Sequence, residues 1–106
     1  LLPVTPIGGL RMIDGNEADD KIIAVMRGDA IYGHMKDIYE CPPALVDRLK
    51  HYFLTYKDAP GARKRVAEIT HVYGREEALE VIERSQRDYD ARYNDLKTLF
   101  DELRTR

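Results

Sequence analysis

The chain has 106 residues, the size of one modest domain or of part of one. Hydrophobic residues make up 43% and charged residues 34%, a globular balance too apolar for a disordered chain. Seventeen basic against nineteen acidic residues leave a formal charge of −2, which argues against nucleic acid as a partner held by bulk positive charge. No run approaches the ~18 apolar residues of a membrane helix, so no membrane association is expected. The start, Leu1-Leu2-Pro3-Val4-Thr5-Pro6, has no basic segment before a long apolar one, so no secretory signal is expected there. A single cysteine, Cys41, excludes an internal disulfide framework and a multi-cysteine zinc site, and cytoplasmic residence is the default.

Residues 7 to 13 (Ile-Gly-Gly-Leu-Arg-Met-Ile) read as a strand with Leu10 and Met12 on one face. Lys21 to Met26 reads as a second strand, Ile22 and Ala24 alternating with Ile23 and Val25. Asp14-Gly15 is a turn signal, so the two strands are expected to form a hairpin with a long acidic loop over residues 14 to 20. Residues 27 to 41 show no period and read as loop with a turn of helix. Pro42-Pro43 opens a helix with Leu45, Leu49, Tyr52, Phe53 and Tyr56 as its apolar face, and Ala59-Pro60-Gly61 ends it. Arg65 to Tyr73 alternates as a third strand. From Arg75 to about Leu103 the pattern is one long helix with a stripe that includes Ala78, Val81, Ile82, Tyr89, Leu96 and Phe100. It spans about 45 Å, longer than so small a domain needs, so its C-terminal half is expected to project or to pack on a partner. Three strands cannot close a barrel, so their edges are open unless other strands pair with them.

Charge is concentrated in two places. Asp14, Glu17, Asp19 and Asp20 fall within seven residues with no base between them, and Lys57, Arg63, Lys64 and Arg65 within nine. A metal-plus-phosphate site needs such a pairing, and two unrelated solvated loops would also look like this. Hard cations take carboxylate oxygens and keep several waters, which Asp14 and Asp19 around a turn could accommodate. The spacing is not that of an EF-hand, because Ala18 and Asp19 stand where an oxygen ligand and a glycine are required. Lys21 is either an ion-pair partner of the aspartates or a phosphate ligand. Tyr56-Lys57 is either helix C-terminal chemistry or a hydroxyl and an ammonium for phosphate oxygens. His34, His51 and His71 share no metal-ligand spacing; His51 reads as a packed or interface residue, and Cys41 as packing.

Four stretches carry a resemblance. Ile7-Gly8-Gly9-Leu10-Arg11-Met12-Ile13-Asp14 followed by Asp19-Asp20-Lys21-Ile22-Ile23-Ala24-Val25, with Pro6 before them, resembles the P-[IV]-G-x-[LF]-x-M-x-D and D-x-K-[IL]-[IVL]-A-V patterns of the soluble, magnesium-dependent inorganic pyrophosphatases. Ile38 to Pro43 resembles the family's D-[IV]-x-x-[VL]-P segment, and Leu49 to Asp58 its I-x-H-F-F-x-x-Y-K-D segment. Order and separation match from Pro6 to Asp58. The family's D-x-D-P-x-D signature does not occur, Thr5 stands where arginine is usual, and Ala59 to Arg65 departs from L-E-x-G-K. The matched part corresponds to the C-terminal half to two-thirds of such a protein, a single domain over residues 1–106.

The resemblance implies an α+β fold: a partial oligonucleotide-binding-like β-barrel, about three strands here, with two main helices outside and the last one long. It implies hydrolysis of inorganic diphosphate to two orthophosphates. Asp14 and Asp19 then correspond to Mg²⁺-binding carboxylates, with Mn²⁺ a possible substitute, and Asp19 is the more central. Lys21, Tyr56 and Lys57 correspond to phosphate-contacting residues, with Asp19 and Lys21 the catalytic pair. No general base is assigned within the chain. The resemblance also implies a homo-oligomer, with the helix bearing His51 near subunit contacts. The alternatives are a catalytically silent truncated domain and a helical self-association module.

Overall fold

A computed structural model describes residues 1–56 and 67–104. It is an α+β arrangement of three antiparallel strands and two helices, with the sheet open. Strand β1 runs Val4–Asp14, β2 Glu17–Met26 and β3 Ala67–Gly74, in the order β2-β1-β3. Helix α1 covers Pro43–Thr55 and α2 Arg75–Arg104, and Ile38–Glu40 forms a single 3₁₀ turn.

The hairpin corrects the expectation of a long acidic loop. Asp14 pairs with Glu17, so the connection is only Gly15-Asn16. Gly15 has φ +65° and Asn16 does not have positive φ, the pattern of a two-residue turn with glycine at its first central position. Glu17, Asp19 and Asp20 therefore belong to β2, where alternation sends neighbouring side chains to opposite faces. Pro6 is tolerated in β1 because the β1–β2 register is irregular between Pro6 and Gly8, and β3 pairs with β1 only from Gly8 onward.

The main core cluster is small and lies on one face of the sheet. Ile7, Val25, Met35, Ile38 and Cys41 form one buried cluster, with Ile23, Val46 and Val72 packed against it. Cys41 is a packing residue, as expected; its thiol donates to Met35 Sδ at 3.4 Å, and burial pushes its pKa up. Asp37 ties this layer to the other helix. Its carboxylate accepts from the Tyr39 N–H and from the Arg75 N–H at the start of α2, both at 3.2 Å, satisfying a helix N-terminus with negative charge.

Helix α1 has no fully buried residue. Leu45, Leu49 and Phe53 are half-buried as expected, but Tyr52 and Tyr56 of the predicted apolar face are exposed and stack on each other, ring centroids 5.3 Å apart. The helix ends at Thr55, and the expected terminator, Ala59-Pro60-Gly61, lies outside the described residues. His51 is exposed, not packed within this chain. Helix α2 buries Ala78 completely and half-buries Val81 and Ile82 over the opposite face of the sheet; from Glu83 to Arg104 every residue is exposed. The projecting C-terminal half is thus a feature of the structure.

Candidate active site

The strand register decides what meets what. Asp19 stands opposite Met12, Lys21 opposite Leu10 and Asp14 opposite Glu17, so Asp14, Asp19 and Lys21 share a face. It is the same face that carries Ile23 and Val25 into the core. Along β2 this face therefore changes from apolar to charged at Lys21, next to the C-terminal end of α1. A charged pair continuing an apolar strand face is poorly explained by burial alone.

Lys21 Nζ lies 2.8 Å from Asp19 Oδ2 and 5.8 Å from the centroid of the Phe53 ring. The hydrogen bond to Asp19 raises the lysine pKa, burial opposes it, and coulombic contributions from Asp19, Tyr56 and Asp14 add to the rise. Asp14 and Tyr56 are thereby within electrostatic reach of the ammonium. Four of the five residues singled out in the sequence, Asp14, Asp19, Lys21 and Tyr56, are gathered around the hairpin and the end of α1. Lys57, the fifth, lies outside the described residues, as does Lys64. The ammonium is held by a carboxylate with an aromatic ring nearby, so it is presented as a fixed cation.

A second polar cluster sits on the opposite face. Arg11 Nη2 donates to Glu77 Oε1 at 3.0 Å, its Nε lies 3.5 Å from Asp20 Oδ1, and its guanidinium carbon is 5.1 Å from the centroid of the Tyr73 ring. The Tyr73 hydroxyl donates to Asp20 Oδ2 at 3.2 Å. The hydrogen bond to Glu77 raises the Arg11 pKa above its ordinary value, with burial opposing and Asp20 assisting. Burial, reinforced by the Asp20 charge, pushes the Tyr73 phenol up to about 12. Gly9 is required here, because a Cβ at that position would run into the Tyr73 ring. Arg11 thus ties β1 to β2, β3 and α2 directly behind Asp19 and Lys21. Sequence reasoning missed this cluster. Its signal was the adjacency of Asp19 and Asp20 on a strand, which forces one of them away from the site.

For a metal, the donor set is two hard carboxylates. Among the described residues no group of three or more His, Cys, Asp or Glu converges to hold an ion. Mg²⁺ is commonly carried by one or two carboxylates together with substrate phosphates and waters. Asp14 and Asp19 fit that use, and they do not form a closed protein cage.

Comparison with known proteins bears on the same stretch. The family model described as inorganic pyrophosphatase matches residues 1–90. Over 93 aligned residues the chain is 48% identical to the inorganic pyrophosphatase of Chlamydia trachomatis serovar L2, covering 84% of this chain and 44% of that protein. The Chlamydia muridarum protein of the same name is also 48% identical, with the same coverage, and that of Chlamydia caviae 47%, with 43% of its length covered. The chain spans less than half the length of these curated relatives. The matched residues include both strands of the hairpin, all of α1 and the start of α2, and on this likeness the chain belongs to the inorganic pyrophosphatase family.

Proposed function

We propose that this chain carries part of an active site that hydrolyses inorganic diphosphate to two orthophosphates. The observation that carries the reading is the Lys21–Asp19 pair, held with Asp14 on a charged continuation of the core face. Family membership supports the reaction; the roles of individual residues are our assignment. In it, Asp14 and Asp19 hold a hard divalent cation, Mg²⁺ or Mn²⁺ in its place. When bound, such a cation supplies positive charge against the diphosphate and makes a coordinated water more acidic.

The chain's own residues then act on the substrate. Lys21 Nζ, already charged and oriented by Asp19, donates to a phosphate oxygen and stabilises charge on the departing orthophosphate. Tyr56 donates its hydroxyl proton in a hydrogen bond to the same group, and Lys57 adds a second ammonium from the residue that follows. The Arg11–Asp20–Tyr73–Glu77 cluster holds β2 against β1 and α2, which limits movement of Asp19 and Lys21.

The wider fold belongs to the same proposal. Residues 1–106 act as one domain, the C-terminal part of an oligonucleotide-binding-like barrel whose remaining strands pair with the open edges of β2 and β3. Location in the cytoplasm and assembly into a homo-oligomer complete the reading. Among the described residues no helix is long and apolar enough to cross a membrane.

The deciding experiment is phosphate release from diphosphate by the 106-residue chain, with Mg²⁺ and with EDTA, beside Asp19→Ala. Turnover that needs both Mg²⁺ and Asp19 supports the proposal. A second reading, a catalytically silent self-associating domain, is favoured by the exposed half of α2, and absence of turnover together with a melting temperature indifferent to Mg²⁺ would select it.

A further inference from the structure

The exposed half of α2 carries a pattern that the diphosphate reaction does not use. Tyr89, Tyr93, Leu96, Phe100 and Leu103 are all more than half exposed. They recur at alternating steps of four and three, the spacing of a coiled-coil seam carried over two heptads, with exposed Leu99 beside them. Only Tyr89 of the five falls within the part matched by the family model, which stops at residue 90. We propose that this segment is a homodimerisation helix that pairs with the same segment of a second copy of the chain, antiparallel.

The charges beside the seam choose the occupant and its direction. On one side of the seam, at steps of seven, stand Glu83, Asp90, Lys97 and Arg104: two acids followed by two bases. In an antiparallel pair these positions face their own kind across the interface. Centring the pair between Tyr93 and Leu96 sets Asp90 against Lys97 of the second copy and Glu83 against its Arg104. The two-fold axis repeats both contacts, so all four charged pairs are attractive. In a parallel pair the same residues would face the other flank, where Arg92 would meet Lys97 of the second copy, a repulsion with no attractive pair to offset it. A sequence whose charges complement themselves only after reversal points to a second copy of itself.

The same register stacks aromatic on aromatic and aromatic on leucine: Tyr89 on Phe100 and Tyr93 on Leu96 of the second copy, with polar Gln86 opposite Leu103 at each end. Residue 85 of the second copy comes level with Arg104, an overlap of about 29 Å of helix. Its far end reaches the open hollow that Ser85, Gln86 and Tyr89 line with Ala18, Asp20 and Ile22 of β2.

The test is sedimentation equilibrium of the full 106-residue chain across a concentration series, with circular dichroism to confirm that each variant keeps its helix. The chain should sediment as a dimer, and Phe100→Glu, an exposed position, should give a monomer. Asp90→Lys and Lys97→Asp should each raise the dimer Kd about tenfold, since each turns two attractions into two repulsions. The double variant should bring Kd back to within about twofold to threefold of the parent. A chain that stays monomeric at high concentration would overturn the proposal. So would a dimer indifferent to Phe100→Glu, which would place the contact on the sheet edges. Failure of the double charge reversal to restore association would overturn the antiparallel arrangement.

Discussion

Tyr73→Phe isolates the contribution of one hydroxyl in a way that changes sign with pH. Tyr73 is 3% exposed, its hydroxyl donates to Asp20, and its pKa stands at about 12 against 10.0 for an unfolded tyrosine. At pH 8 the variant loses a hydrogen bond to a carboxylate that Arg11 still partners, so it should be less stable by about 1 kcal/mol. Above pH 10 the unfolded wild-type chain releases the phenolic proton while the folded one keeps it. Fewer protons in the unfolded state mean that stability falls as pH rises, and the fall continues until the folded phenol ionises near 12. A difference of two pKa units corresponds to a loss of roughly 2–3 kcal/mol over that window. Phenylalanine has no proton to lose. Lys21, also raised, weakens both proteins alike and cancels in the comparison. Urea unfolding midpoints at intervals from pH 8 to 12 should therefore show wild type above the variant at pH 8 and below it at pH 12, crossing near pH ~11. Parallel curves that never cross would refute the argument that burial against Asp20 is what holds the phenol neutral.

Three other outcomes follow from the same geometry. Gly9→Ala drives a methyl into the Tyr73 ring and should cost about 1–3 kcal/mol in urea unfolding, with partial relief in a Gly9→Ala/Tyr73→Ala double variant. Leu10→Ala, at a fully buried position on the central strand, should cost about 2–5 kcal/mol, a large share of a small domain's stability. Millimolar Mg²⁺ should raise the melting temperature of the chain, and the rise should vanish in Asp14→Asn/Asp19→Asn; an equal rise in that variant would mean that these carboxylates are not the cation's ligands.

Much of this molecule was legible before any coordinates, and the gaps have physical causes. Helix α2 and the hairpin declare themselves through periodicity, and of the residues gathered at the candidate site Lys21 lies on a strand placed correctly from sequence. The acidic stretch was misread because Asp-Gly marks a turn without fixing its length. Asp19, Asp20 and Glu17 look like loop residues by composition, yet β2 takes them in because β1 offers a full ladder of partners as far as Asp14. The Arg11 cluster was hidden for the same reason: only a strand sends Asp20 to the far face. Tyr52 and Tyr56 were assigned inward by helical spacing, but among the described residues α1 faces a three-stranded sheet, too little surface to bury both rings.

The position of β1 between two strands also sets how the candidate site breathes. Amides of β1 bond on both sides, whereas β2, an edge strand among the described residues, uses only alternate amides against β1. Hydrogen exchange along β2 should then alternate between protected and fast, while β1 is slow from Gly8 to Asp14, where it is paired on both sides. Asp14 belongs to the stiff strand; Asp19 and Lys21 ride together on the soft one. A transient opening of β2 would carry the ion pair away as a unit and leave Asp14 behind, so the separation of the two aspartates is the coordinate along which this site is most easily deformed.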